Sequence, residues 1–303
     1  MQAVTDETPK WAIRKRISEL RLIALAEIAT GDTGLDPFEY YTEVQNLTLR
    51  PLSKEWLEAA IMFACIAKFR HARAIGYMQK LRTRHEKSGT LEQFGVFEKR
   101  IADYLAPLAL TNHGFHAHRF GETDHAPIWA KVETHLKALG DAGYDVFLNS
   151  GTLLGVVRDK RLIDHDDDID LAVVLKSTDA LSAAEEWRGM EHKLDALGLL
   201  ERTVDDMPGL YKLRPAGKIE IDLFPAWIED GRAYVYPHTA GELSEEQLLP
   251  LAPCPLTGQS LPAAPADMLA VNYGPGWETP DPLYKFPWAD ANDRFARFLE
   301  GLK

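Results

Sequence analysis

Between Asp164 and Asp170 the chain places five carboxylates, Asp164, Asp166, Asp167, Asp168 and Asp170, and then runs directly into Leu171-Ala172-Val173-Val174. Read as a strand, Asp168-Ile169-Asp170-Leu171-Ala172-Val173 alternates, so Asp168 and Asp170 leave one face while Ile169, Leu171 and Val173 leave the other. Such a strand is stable only where its apolar face is covered and its acidic face meets something that offsets like-charge repulsion. A hard divalent cation, Mg²⁺ or Mn²⁺ in its place, is the natural occupant.

A second segment repeats the pattern. Lys218-Ile219-Glu220-Ile221-Asp222-Leu223-Phe224 alternates with Glu220 and Asp222 opposite Ile219, Ile221 and Leu223, and offers a third carboxylate. Upstream, Gly151-Thr152 forms a turn whose backbone can come close to a phosphate, ahead of a short helix read over Thr152–Arg158 with free amides at Leu153. Alone, a Gly-Thr turn before a helix is an ordinary cap. Its place, 16 residues before Asp168, is what gives it weight.

In this order the motifs resemble those of the nucleotidyltransferase superfamily, and SGTLLGVVRDKRLIDHDDDIDLAV resembles the signature of the LicD and fukutin-related family. The later IEIDLFP and YGPGW segments are similar to that family too, so the resemblance covers roughly residues 140–280. It implies an α/β (α+β) fold: a nucleotidyltransferase-like mixed sheet with flanking helices, here preceded by an α-helical N-terminal region. It also implies metal-dependent transfer of a phospho-alcohol, such as phosphocholine, ribitol phosphate or glycerol phosphate, from a CDP-linked donor. The acceptor would be a hydroxyl of a saccharide or glycolipid of the cell surface, as in capsule or lipopolysaccharide. The chain departs from the family pattern at His165, where Trp is common, and at Asp159-Lys160-Arg161, where a His-Gly-Gly-like turn is common. These changes flank the acids and bear on substrate preference.

Carried onto this sequence, the resemblance assigns Asp168, Asp170 and Asp222 to metal binding and catalysis, with Glu220 the competitor for the third place. Asp166 shares the even-numbered face if the strand extends backwards, and is expected to touch donor or metal ahead of Asp164 and Asp167. Gly151 and Thr152 are expected at the donor phosphates. Arg158 is expected to aid catalysis there, since its planar fork suits a diphosphate; an ion pair with Asp159 or Asp164 is the plainer reading. Lys212 is a further basic group beside the acids and a donor-binding candidate. Tyr273 and Trp277 can stack on a base or simply fill the core.

Net charge of −12 disfavours a general nucleic-acid backbone binder, which needs clustered Lys and Arg to displace counterions. The two cysteines, Cys65 and Cys254, lack metal-ligand spacing, and no disulfide framework is expected. No segment reads as a signal peptide or membrane span, so the expected place is the cytoplasm, including the inner face of the membrane. Residues 1–110 read as a helical region, with helices over 11–29, 53–69, 71–86 and 91–105 and Ser53 as a cap. A polar linker over 111–126 and a catalytic domain over 127–303 complete the expected order, with strands near 145–149, 168–175, 210–213, 219–224 and 233–235, and loop-rich chain beyond Pro237 with helices around 266–271 and 292–302.

The rival reactions are nucleotidyl transfer from a nucleoside triphosphate, which uses the same acids, and glycosyl transfer at an Asp-x-Asp metal site. The second is disfavoured by the Gly-Thr turn upstream and the third acidic segment downstream. A non-catalytic scaffold is disfavoured because all three acidic positions are present.

Overall fold

A computed structural model describes residues 9–31, 34–111, 114–116, 120–164, 166–202, 207, 209–281 and 283–303. The chain forms two compact units, Met1–His118 with Pro282–Lys285, and Arg119–Asp281 with Phe286–Lys303.

The first unit is helical: α1 (Lys10–Thr30), α2 (Pro37–Asn46), α3 (Lys54–Ile66), α4 (His71–Lys87) and α5 (Leu91–Leu105), followed by a hairpin of β1 (Ala109–Leu110) and β2 (Phe115–His116). Trp56 to Cys65 of α3 are all buried, as expected of a helix that is apolar around its whole circumference and so must lie at the centre of a bundle. Ser53 caps α3 by accepting from the Trp56 amide at 3.1 Å. Helix α2 was not expected. Its signal is nonetheless in the sequence, because Asp36 accepts from the Phe38 and Glu39 amides and Pro37 occupies the first helical position.

The second unit is built on a six-stranded mixed sheet. It begins with α6 (Ala126–Asp141) and continues through β3 (Asp145–Leu148), α7 (Ser150–Leu154), β4 (Asp168–Val174), α8 (Ala180–Ala196), β5 (Tyr211–Ala216), β6 (Ile219–Glu229), β7 (Arg232–Val235) and β8 (Thr239–Ser244). The strand order is β3-β4-β6-β7-β8, with β5 pairing with β6. Only β4 and β6 run parallel; Asp168 lies beside Glu220 and Asp170 beside Asp222. Ile169, Leu171, Val173, Ile221 and Leu223 are fully buried, and α6 and α8 add Val132, Leu139, Trp187, Met190 and Leu194 to the same core. This burial is what holds the two acidic strands in register.

Two readings of the sequence are corrected here. The chain beyond Pro237 holds a strand that was not expected there, for β8 extends the sheet, and α9 (Glu245–Leu248) follows with a capping box between Ser244 and Gln247. The remaining elements are a short pair, β9 (Ala252–Pro253) with β10 (Ser260–Leu261), and α10 (Pro265–Tyr273), α11 (Trp288–Arg294) and α12 (Ala296–Gly301). The helix expected over Thr152–Arg158 instead begins at Ser150, ends as an α-helix at Leu154 and widens into a π turn over Gly155–Asp159. Gly155 is needed there, since a Cβ would lie 2.7 Å from the Arg161 carbonyl oxygen and 2.9 Å from the Ile163 amide. That close approach lays the following loop, which carries the first acids, back against the turn.

No helix among the described residues is long and apolar enough to cross a membrane.

Candidate functional site

The sheet register builds one row of polar side chains. The Asn149 amide bonds the Asp170 carbonyl at 3.0 Å and so prolongs the β3–β4 ladder; Asp170 pairs with Asp222, and Asp222 with Lys212. Asn149, Asp170, Asp222 and Lys212 therefore sit side by side on four strands, all on the face opposite Leu171 and Leu223. One step along the strands, Asp168 and Glu220 form the next row. Asp168, Asp170 and Asp222 are each under a tenth exposed, whereas the Glu220 side chain is 59% exposed. Burial therefore separates Asp222 from Glu220.

Asp166 joins this group from the loop rather than from an extended strand, since β4 begins at Asp168. Its carboxyl is hydrogen-bonded to that of Asp168, and its ordinary pKa is raised well up by burial first and then by Asp168, Asp170 and Asp167. The same causes act on Asp170, where burial, Asp168 and Asp222 outweigh the lowering effect of hydrogen bonds from Gly151 and Thr152. At Asp222, burial and then the charge of Asp168 push the pKa up to about 6 against the downward pull of Lys212. Burial pulls Lys212 down, but Asp222 and Glu220 beside it raise it beyond its ordinary value. Oxygens of Asp166, Asp167 and Asp168 also lie within 4.8 Å of one another. That trio and the Asp168–Asp170–Asp222 trio share Asp168 and overlap in one patch of negative charge, with Asp164 outside it in an ion pair with Arg161.

Carboxylates held this close and this deep fit a hard divalent cation: an oxygen-only donor set, held in place, whose anionic form is disfavoured until positive charge arrives.

The Gly151 amide donates to Asp170 Oδ2 at 2.9 Å, while the Asp170 amide donates to Thr152 Oγ1 at 2.9 Å. The start of α7 is thus capped by a carboxylate from β4. A Cβ on Gly151 would lie 2.5 Å from Asp166 Oδ2 and 3.4 Å from Asp170 Oδ2, so the glycine makes room for the acids. Asn149, in the N-cap position, makes no capping bond; it is fully buried and its carboxamide has no partner among the described residues. Sequence reasoning passed over this residue, although Asn immediately before a helix start is itself a signal.

Arg158 is turned to Asp159, with Nε and Nη2 each 2.8 Å from a carboxylate oxygen, and Nη1 reaches the Trp277 carbonyl at 3.5 Å. The plainer expectation for it, the ion pair, is the arrangement seen. Lys212 bonds Glu220 and, at 3.2 Å, Asp222. Tyr273 closes α10, and its ring lies 5.4 Å from that of the buried His238, whose pKa burial pushes down to about 3. His165 lies outside the described residues, as do His113 and His118.

Compared with known proteins, no curated protein matches the chain. Residues 143–267 match the family described as LicD/FKTN/FKRP, nucleotidyltransferase domain. The matched span holds the row of acids, the Gly151 turn and both acidic strands, and ends before Tyr273. Over these residues the chain is similar to the LicD/FKTN/FKRP family, and the match supports a transferase of phosphate-containing groups.

Proposed function

We propose that the chain transfers a phospho-alcohol, of the phosphocholine, ribitol phosphate or glycerol phosphate kind, from a CDP-linked donor to a hydroxyl of a cell-surface saccharide or glycolipid, releasing CMP on the cytoplasmic side. The observation that carries this reading is the convergence of Asp166, Asp168, Asp170 and Asp222 on one sheet face within a LicD-type domain. Asp168, Asp170 and Asp222 would hold Mg²⁺ or Mn²⁺, with Asp166 at its side. A bound cation would neutralise the donor diphosphate and favour charge developing on the leaving group.

The chain's own groups divide the remaining work. Gly151 and Thr152 fix the rotamer of Asp170, so the acid is in place before the donor arrives. Lys212 restrains Asp222 and adds positive charge beside the donor phosphates. Arg158 engages a donor oxygen by exchanging it for Asp159, a like-for-like trade between two anions.

The test uses a CDP-alcohol whose two phosphorus atoms carry different isotope labels, offered with a glycan acceptor and Mg²⁺ alongside nucleoside triphosphates. The alcohol-side phosphorus should appear in the glycan and the cytidine-side phosphorus in CMP. Nucleotide attached to the acceptor, with pyrophosphate released from a triphosphate, would assign the domain to nucleotidyl transfer instead.

A further inference from the structure

The segment 68–87 holds seven Lys and Arg against one acid, Glu86, in a chain whose net charge is −12. On α4 and its N-cap these bases are not scattered. Arg70, Arg73, Lys80, Arg84 and Lys87 recur at spacings of three, seven, four and three, which places them on one stripe of the helix. A neighbouring face, Ala74, Ile75, Met78, Leu81 and His85, is buried. Arg70, Arg73, Lys80 and Lys87 are exposed and Arg84 is half-buried, and among the described residues none of the five is in an ion pair. Glu86 lies off the stripe, 3.9 Å from Arg82.

Helix stability does not account for this arrangement. Basic residues in the last turn suit the helix dipole, but Arg70 at the N-cap and Arg73 in the first turn oppose it, and α4 has neither a first-turn acid nor a side-chain cap. The pairs Arg70/Arg73, Lys80/Arg84 and Arg84/Lys87 also set like charges at neighbouring positions, each a small penalty in isolation. A solvated face ordinarily mixes both signs.

The N-terminal end of the stripe carries an aromatic group as well. Phe38 is 51% exposed and meets the Phe69 ring edge-on at 5.4 Å, and the Arg70 guanidinium stands 4.9 Å above that ring. A soluble polyanion would gain nothing from Phe38. A bilayer would, because an aromatic ring beside a cation sits well at the headgroup layer.

We infer that the α4 stripe, with Phe38 at its head, is a docking surface for an anionic membrane. The inference does not rest on the proposed reaction. Its test is flotation of the full chain with phosphatidylcholine vesicles carrying about a third phosphatidylglycerol, against pure phosphatidylcholine. The protein should partition to the anionic vesicles alone. Binding should be lost when added salt shortens the Debye length from about 10 Å to about 3 Å. Each basic side chain removed should cost about fivefold in partitioning, so the triple change Lys80→Gln, Arg84→Gln and Lys87→Gln should lower it about a hundredfold. That variant should keep its circular dichroism and its binding of Mn²⁺. Phe38→Ser should lower anionic-vesicle binding severalfold. Equal affinity for both vesicles, or wild-type flotation by the triple variant, overturns the inference. So does competition by soluble polyphosphate combined with no effect of Phe38→Ser, which would mark a site for a soluble polyanion.

Discussion

Two regions of this protein gather charge of one sign, and they do so in opposite settings. On the β4–β6 face, Asp168, Asp170 and Asp222 are buried, and the carboxyls of Asp170 and Asp222 are driven toward the neutral form. On α4, Arg70, Arg73, Lys80 and Lys87 are exposed to water, which screens them from one another within about a Debye length. Proximity alone does little. Burial turns proximity into free energy, so the acidic face suits inner-sphere ligands, whereas the exposed basic stripe suits long-range, salt-sensitive attraction.

The largest effect that would break this contrast comes from the middle of the acidic row. Asp170→Asn keeps an oxygen to accept from Gly151 but removes the charge that Asp168 and Asp222 oppose. Divalent-cation affinity, measured calorimetrically with Mn²⁺, should fall by at least about a hundredfold, because a metal ligand and a full charge are lost together. In EDTA the same variant should be more stable than the parent by about 1–2 kcal/mol, read as a melting temperature a few degrees higher. A variant that binds Mn²⁺ normally, or melts earlier without metal, would mean the row is a solvated edge.

The pH dependence tests the same burial by another route. Asp222 has a folded pKa raised to about 6, above that of a free carboxylate, so the folded state holds a proton that the unfolded state releases. Its stabilising effect is complete below the unfolded pKa, near 4, and is lost as pH rises through about 6. Without metal, wild type should lose about 1–3 kcal/mol relative to Asp222→Asn as pH rises from about 4 to 7. Saturating Mg²⁺ should cancel that loss, since the cation takes the place of the proton. A pH-independent difference between the two proteins would place Asp222 in water.

What the sequence discloses of this site is what periodicity encodes. The alternation of β4 and β6 identified Asp168, Asp170 and Asp222, and the apolar Ile169, Leu171, Ile221 and Leu223 beside them could have only one burial pattern. The choice of Asp222 over Glu220 came from the family motif; in the structure Asp222 is buried and the Glu220 side chain is exposed. Contacts between distant segments were not legible in this way. That Asp170, from β4, caps α7 in place of Asn149 depends on how two elements meet, and no local propensity reports it. The π turn after Leu154 and the turning of Arg158 toward Asp159 are of the same kind. Strand β8, Thr239–Ser244, was missed for a different reason: Gly241 and a nearly polar run give it no alternation, and only its pairing with β7 makes it a strand.

A smaller effect separates two uses of Gly151. If the glycine served only to admit a phosphate, Gly151→Ala would impair donor binding and leave the metal alone. The Cβ, however, would lie 2.5 Å from Asp166 Oδ2, the end of a side chain that can swing away. The fold should therefore lose less than about 1 kcal/mol, in keeping with a neighbour that yields. Mn²⁺ affinity without donor should fall by about tenfold as Asp166 is displaced. Unchanged Mn²⁺ binding together with weakened CDP binding would return Gly151 to the phosphate role.

The smallest expected effect concerns Glu220, and it sharpens the contrast because Glu220 shares a face with Asp222 but not its burial. Glu220 stands one residue pair from Asp222 on β6, beside Asp168 in the register, yet its side chain is 59% exposed and bonded to Lys212. An exposed ion pair is worth about 0–1 kcal/mol, so Glu220→Gln should shift the melting temperature by no more than a degree or two. Mn²⁺ affinity should change by less than about threefold, since water screens the lost charge. The one directed consequence lies in Lys212, which is then held by Asp222 alone. The pKa of Asp222 should fall slightly, because Glu220 no longer adds its repulsion. Carboxyl chemical shifts followed through a pH titration of the metal-free protein would show this, with the Asp222 midpoint moving down from about 6 in Glu220→Gln. A hundredfold loss of Mn²⁺ binding in Glu220→Gln, with little change in Asp222→Asn, would exchange the two residues and place the third carboxylate at the exposed end of β6.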